Sequence, residues 1–205
     1  MQILKDDVRQ SILNAALAEF KQHDYADASM RRISASAGMT TGNIYRYFKN
    51  KEELFEALVG PVYERCIANI LVIKEEVDRN FAKGTEASDC LQMVESIILD
   101  LFEESSAELM ILLNRSTGSK YAGVKASICA LVVSILESMI RFGKDETGEL
   151  TLEEKQTAQM LGGTVVEGVC LILRDHEDGE TVKRLVNQLV YLYYFGTDHW
   201  NKKKG

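Results

Sequence analysis

Two short helical patterns on either side of a glycine turn, within Ser29–Lys51 (SMRRISASAGMTTGNIYRYFKNK), restrict this chain more than any other feature. Met30, Ile33 and Ala37 recur at spacings of three and four and share one helical face, while Arg31, Arg32, Ser34 and Ser36 point elsewhere. Ser29 suits an N-cap, Gly38 the left-handed residue that ends the helix, and Thr40 the cap of a second helix over Thr41 to about Tyr47. Only Ile44 and Phe48 anchor that second helix; Thr41, Gly42, Asn43, Tyr45, Arg46 and Tyr47 are left on offer. Such a helix buries little and is suited to touching something else. Gly42 costs roughly 1 kcal/mol of helix propensity relative to Ala, which makes sense where a side chain would hold a partner away. The plain alternative is a glycine-rich helix cap.

A basic amphipathic helix presenting a two-turn helix across a glycine turn has the geometry of a DNA-reading helix-turn-helix. The residues that carry a closer resemblance are Ile12-Leu13-Asn14-Ala15-Ala16 and Phe20, then Ser29-Met30 and Ile33, then Ala37-Gly38-Met39, Gly42, Ile44-Tyr45, Tyr47-Phe48 and Lys51-Glu52-Glu53-Leu54. On these, about the first quarter of the chain resembles the DNA-binding head of the tetracycline-repressor (TetR/AcrR) family of bacterial transcription regulators. Two departures stand out: Asp24 where that family usually has Gly, and Ser34 where it usually has Ala. Asp tolerates the left-handed conformation better than most residues, so the turn at Asp24 is expected to survive.

Charge is divided in the way such a head requires. The net charge is −7, but residues 1–51 hold eight basic against five acidic residues, leaving the rest of the chain at −10. A basic head can sit on phosphates while an acidic body discourages spreading along DNA. The head candidates follow from residue chemistry and the resemblance together. Arg31, Thr41 and Asn43 are expected to reach base edges, with Gly42 allowing close approach. Ser29, Thr40, Tyr45, Tyr47 and Lys51 are expected to meet phosphates, which position without reading sequence.

The rest of the chain reads as helical, so the fold class is all-α: a three-helix DNA-binding head over residues 1–50, and a larger helical effector-binding and dimerisation body over residues 51–205. A first helix from Asp6 or Asp7 to His23 carries Val8, Ile12, Ala15, Ala16 and Phe20 on one stripe. A fourth, capped by Asn50 with Glu53, meets Gly60-Pro61 in mid-pattern and is expected to bend there and connect the two parts. Further helices are expected from Glu86 or Ser88 to Phe102, from Ala107 to Arg115, from Tyr121 to Gly143, over 152–174 behind a Thr151 cap, and over 180–196. The helix over 152–174 carries Ala158, Gly162 and Gly168, small residues that admit a close neighbour; that over 180–196 carries an apolar face too wide for one neighbour. Two such helices from each of two subunits would form a four-helix interface, the homodimer that the resemblance also implies, against the alternative of packing within one chain.

The resemblance further implies a small-molecule effector pocket among the central helices. Candidate lining residues are Met93, Phe102, Met110, Met139 and Phe142, a stripe equally suited to plain core. Asn114 and Arg115 are the polar candidates for orienting an effector, or for capping a helix end. No nucleophile stands at motif spacing from a base and no glycine-rich loop precedes a lysine, so neither catalysis nor a cofactor is expected. His23 with Glu19, and Asp175-His176-Glu177-Asp178, admit a metal but are more simply a helix face and a solvated turn. Cys66, Cys90, Cys129 and Cys170 form no CxxC pair and read as reduced, buried thiols. With the longest apolar stretch put at Ile128–Leu136, no membrane span is expected and the compartment is the cytoplasm. The expected activity is that of a repressor released from a palindromic operator by an effector. The rivals are a regulator controlled by a protein partner or acting as an activator and, more remotely, a helical enzyme or carrier with a vestigial head.

Overall fold

The computed structural model describes the backbone of residues 2–83, 87–141 and 149–202, and the side chains of 6–79, 101–141 and 149–193. Those residues form eight helices: α1 (Gln2–Gln22), α2 (Met30–Ser36), α3 (Thr41–Ile44), α4 (Lys51–Lys83), α5 (Ala87–Asn114), α6 (Val124–Arg141), α7 (Leu152–Asp175) and α8 (Gly179–Lys202). The chain divides into two compact units, one of residues 1–64 with 107–124 and the other of 65–106 with 125–205. This differs from the expected division after residue 50. The start of α4 and the end of α5 both belong with the head, because they supply its core and its polar ties.

In the first unit, periodicity becomes packing directly. Ile12 and Phe20 of α1, Ile33 of α2, Ile44 of α3, Phe48, and Leu54, Phe55 and Val59 of α4 are almost wholly buried. Aromatic rings continue this core outward. Phe55 meets Phe20 and Tyr25 edge-on at centroid separations of 4.8 and 4.9 Å, and Tyr121 packs between Phe55 and Tyr63 at 6.2 and 5.2 Å. Edge-to-face pairs place the positive ring edge against the negative ring face, which adds a directional term to burial.

The second unit is assembled from long amphipathic helices. Ala158, Val166, Cys170 and Leu173 of α7 and Val182 and Val186 of α8 are buried, and Leu136 and Ile140 of α6 cluster with Leu150 and Ala158. Thr151 and Glu154 close a reciprocal capping box at the start of α7, as their spacing predicts.

α4 runs through Gly60-Pro61 as one helix and does not restart there. Proline removes its own bond to the carbonyl of Ala57 and crowds that carbonyl with its ring, a disturbance confined to one turn of a 33-residue helix. The interruption that the sequence predicts between Phe102 and Ala107 is present as a kink inside α5, at Ser105 (φ −136°, ψ 26°). A serine pair, Ser105-Ser106, is one of the recognised settings for a kink. Averaged over an 18-residue window, α7 has a mean hydropathy of 1.2 and so meets the length and composition of a membrane span, although its apolar residues are interspersed with polar ones and form no run as long as Ile128–Leu136.

Candidate nucleic-acid interface

α3 is shorter than the expected helix to Tyr47. After Thr41–Ile44 the backbone tightens: Arg46 N–H donates to Asn43 O at 3.2 Å and Tyr47 N–H to Ile44 O at 2.8 Å. Such i→i+3 bonds end a helix within one turn. Both ends are set by the residues the sequence singles out. Gly38, at φ +68°, takes the left-handed position that ends α2, and the Thr40 hydroxyl accepts from Asn43 N–H at 3.3 Å to cap α3. Ser29 caps α2, its Oγ accepting from Arg32 N–H at 3.5 Å.

The element is fixed from inside by Ile44 and Phe48, while Gly42, Asn43, Tyr45 and Arg46 are exposed, Tyr45 at 47%. Tyr47 and Thr41 are half-buried, and Thr40 and Arg31 exposed. Nothing lies within 4 Å of where a Cβ at Gly42 would stand, so no internal contact requires glycine there. Among the described residues, the guanidinium groups of Arg31 and Arg46 have no ion-pair partner. Gly42, Asn43, Tyr45 and Arg46 therefore form one outward surface carrying a cation, an amide, a phenol and a place with no side chain.

Three half-buried residues read as surface or pocket candidates are engaged by bonds within the chain. Lys51 was expected on a phosphate. Its Nζ instead donates to the carbonyls of Tyr25, Ala26 and Ala28 at 2.6, 3.1 and 3.1 Å, and lies 4.5 Å from the centre of the Tyr25 ring. An ammonium has three protons, so none remains for DNA. Thr41 Oγ1 lies 2.9 Å from the buried Ser34 Oγ. Arg115, expected to orient an effector, donates from Nη1 to Asp24 Oδ1 at 3.2 Å, and its carbonyl accepts from Tyr25 N–H at 2.8 Å. Asp24, the departure from the family pattern, is thus the partner of a helix end 91 positions away.

Sequence reasoning missed Glu19 altogether as a structural centre. Buried in α1, it accepts from Ser29 N–H at 2.8 Å and from Arg32 Nε at 2.8 and 3.1 Å. Burial pushes its pKa up, but the Arg32 and Ser29 hydrogen bonds and the Arg32 charge outweigh it and hold the carboxyl below its ordinary value. This occupancy also disposes of Glu19 with His23 as a metal pair. No group of three or more metal-ligating side chains occurs among the described residues.

The loop after α5 completes the head. Ala26 N–H donates to Thr117 O at 3.1 Å, and Gly118, at φ +86°, lets the loop come within reach of Ala26. Lys120 pairs with Glu56, whose carboxyl is held below its ordinary value first by the Lys120 hydrogen bond and further by the Tyr121 hydroxyl, against a smaller opposing effect of burial.

The effector candidates fall in both units. Met110, Asn114 and Arg115 belong to the first unit, Phe102 and Met139 to the second. Phe102 and Met110 are buried, and Met139 packs on the Leu136, Ile140, Leu150 and Ala158 cluster. The Met93 side chain and Phe142 lie outside the described residues. An open groove of about 490 Å³ runs along α1 past Asp7, Gln10, Asn14 and Ala18 to Ser36, with walls that are part polar and part apolar.

On α7, Gly162 and Gly168 are used within the chain. A Cβ at Gly162 would stand 2.6 Å from Val133 Cγ2, and one at Gly168 would stand 2.9 Å from Leu189 Cδ2, so these small residues seat α6 and α8. What remains uncovered is a set of large apolar side chains: Leu152, Met160 and Leu171 on α7, and Tyr191 and Leu192 on α8, with Leu152 74% and Leu192 73% exposed.

Residues 12–58 match the family model described as "Bacterial regulatory proteins, tetR family". The HTH-type transcriptional regulator AcrR of Shigella flexneri is 30% identical over 102 residues, which are 50% of this chain and 43% of AcrR. The HTH-type transcriptional regulator UidR of Escherichia coli K12 is 27% identical over 153 residues, 74% of this chain and 73% of UidR. The HTH-type transcriptional repressor AcnR of Corynebacterium efficiens is 42% identical over 89 residues, 42% of this chain and 46% of AcnR. The matched stretch thus spans less than half the length of AcrR and of AcnR. Among solved structures, a TetR-like transcriptional regulator from Rhodococcus sp. RHA1 aligns over 90% of this chain and 93% of its own, with a TM-score of 0.54 at 18% identity, which shows a shared fold.

Proposed function

The chain belongs to the tetR family of bacterial regulatory proteins, and from that premise we propose that it is a sequence-specific DNA-binding repressor, acting in the cytoplasm as a homodimer and released from a palindromic operator by a small-molecule effector. The observation that carries the reading is the α3 surface. Gly42, Asn43, Tyr45 and Arg46 are offered outward by an element whose inner side is pinned by Ile44 and Phe48. Asn and Arg carry the donors and acceptors that read major-groove edges, and Tyr and Thr hydroxyls hold phosphates. Of the positions read as DNA contacts, Lys51 is withdrawn from the proposal, and the flanking cations Arg31 and Arg46 take its electrostatic role.

The homodimer is supported by the uncovered Leu152, Met160, Leu171, Tyr191 and Leu192 on the last two helices. A second copy would cover them, and it accounts for the hydropathy of α7 without a membrane. Two copies would present two α3 elements, hence a two-fold operator. Effector release is supported by the ties of the α5 end to the head through Arg115–Asp24, Arg115 O and Thr117 O. A change at that helix end acts on the turn that precedes α2. Effector and DNA affinities would then be reciprocally coupled.

Selecting bound duplexes from a random pool with the purified protein at moderate salt tests the reading. A palindromic consensus, lost with Tyr45→Ala, is expected. Failure to enrich any sequence overturns it in favour of a head that needs a partner protein.

A further inference from the structure

The α3 surface contains a residue whose hydrogen-bonding character is decided from behind. Ser34 is buried on α2, and its Oγ lies 2.9 Å from Arg31 O and 2.9 Å from Thr41 Oγ1. A carbonyl oxygen has no proton to give, so the contact to Arg31 O is made by the single Ser34 hydroxyl proton. That leaves the Ser34 oxygen as an acceptor toward Thr41. The Thr41 proton is therefore the one that closes the second contact, and it points inward. What Thr41 keeps for the outside is lone pairs.

We infer that Ser34 is a positioning residue that fixes the Thr41 hydroxyl as a pure hydrogen-bond acceptor, and thereby sets the base that α3 reads at that point to one presenting an amino group. The inference rests on the proposed DNA-reading role of this surface and gives it a base-level content. An acceptor with no proton to donate cannot bond a phosphate oxygen, the N7 or O6 of guanine, or the O4 of thymine, all of which are acceptors themselves. It pairs with the N6 amino group of adenine or the N4 amino group of cytosine. The strand nearest Thr41 should accordingly carry adenine or cytosine at that position, against guanine or thymine. Thr41 is thereby assigned away from the phosphate-facing group formed by Thr40, Tyr45 and Tyr47.

The departure at Ser34 acquires a reason from the same geometry. Alanine there would leave the Thr41 hydroxyl free to rotate and to donate or accept, so the position would read either class of base. Removing the Ser34 hydroxyl takes away little volume, and the Thr41 proton that loses its acceptor can turn out to solvent because Thr41 is only half-buried, so Ser34→Ala should fold as the natural chain does.

The test is duplex selection from one random pool with four proteins in parallel: the natural chain, Ser34→Ala, Thr41→Val and the double variant. The position whose profile changes in Thr41→Val identifies the contact. In the natural chain it should hold adenine or cytosine. With Ser34→Ala, the preference there should fall by about fivefold, the worth of one ordinary hydrogen bond, while the rest of the consensus stays. The double variant should match Thr41→Val alone, because Ser34 acts through Thr41. A Ser34→Ala profile indistinguishable from the natural one, or guanine or thymine at the Thr41 position, overturns the inference while leaving the DNA-reading function standing. A natural chain that selects no sequence removes that function, and the inference with it.

Discussion

The two compact units are held together by different physics. In the first, single polar side chains reach far along the chain: Lys51 to three backbone carbonyls, Glu19 to Ser29 N–H and Arg32, and Arg115 to Asp24. In the second, the described ion pairs lie on the surface, as Lys125–Glu167 and Lys183–Glu103 do, and the burial is done by Ala158, Val166, Val182 and Val186. Directed bonds fix positions; apolar burial fixes proximity and tolerates exchange among residues of similar size. A reading surface must be held to within a fraction of an ångström. A helical body that only needs to bury area does not have that requirement.

The sharpest way to break this contrast is Lys51→Met, which keeps the length of the side chain and removes its three protons. Leaving the carbonyls of Tyr25, Ala26 and Ala28 short of a charged donor should cost about 3 kcal/mol, read as a lower midpoint in urea unfolding. If the variant keeps its stability and loses only DNA affinity and salt dependence, Lys51 faces phosphate after all. Glu19→Gln comes next. It keeps an acceptor for Ser29 N–H and loses the charge facing Arg32, at an expected cost of about 2 kcal/mol near neutral pH. The sign of its pH dependence follows from the lowered folded pKa. The stabilisation is complete above the ordinary carboxylate value and is lost as pH falls through the folded one. The gap between the unfolding midpoints of the natural chain and Glu19→Gln should therefore close in acid; a gap that widens there contradicts the assignment.

In the second unit, Gly162→Val tests close packing. Its Cβ would meet Val133 Cγ2 at 2.6 Å and the Val133 backbone N at 3.3 Å, and backbone cannot step aside as a side-chain tip can. A loss of about 2 kcal/mol, again from urea unfolding, is the usual scale of overpacking. Smallest of all should be Lys125→Met. Its partner Glu167 is 61% exposed, and exposed pairs contribute within about 1 kcal/mol, less at high salt. A loss there as large as that of Lys51→Met would erase the distinction between the units.

The same distinction explains what the sequence discloses. Caps are local, so Ser29, Gly38, Thr40, Thr151 with Glu154, and the inward pair Ile44 and Phe48 are readable from neighbours three and four positions away. Lys51 with Tyr25 and Arg115 with Asp24 join residues 26 and 91 positions apart, and no periodicity announces them. Lys51 consequently reads as one more surface cation beside a basic helix. The small residues of α7 signal a close neighbour correctly but not which one; the neighbours at Gly162 and Gly168 are Val133 and Leu189 of the same chain. The kink at Ser105 is legible because the apolar pattern stops at Phe102 and restarts at Ala107, although serine itself breaks helices weakly. An effector pocket leaves the faintest trace, since Met and Phe line cores and ligands alike.

The central claim is that α3 reads DNA sequence. The most direct measurement is the affinity of the purified chain for its selected duplex and for a scrambled duplex of the same composition, between about 50 and 200 mM salt, where phosphate-driven binding changes most. The account predicts affinity that falls with salt on both duplexes, with a preference for the selected one of about a thousandfold or more at each salt. Equal affinity for the two duplexes would mean that the basic head holds phosphate without reading bases, and would contradict it.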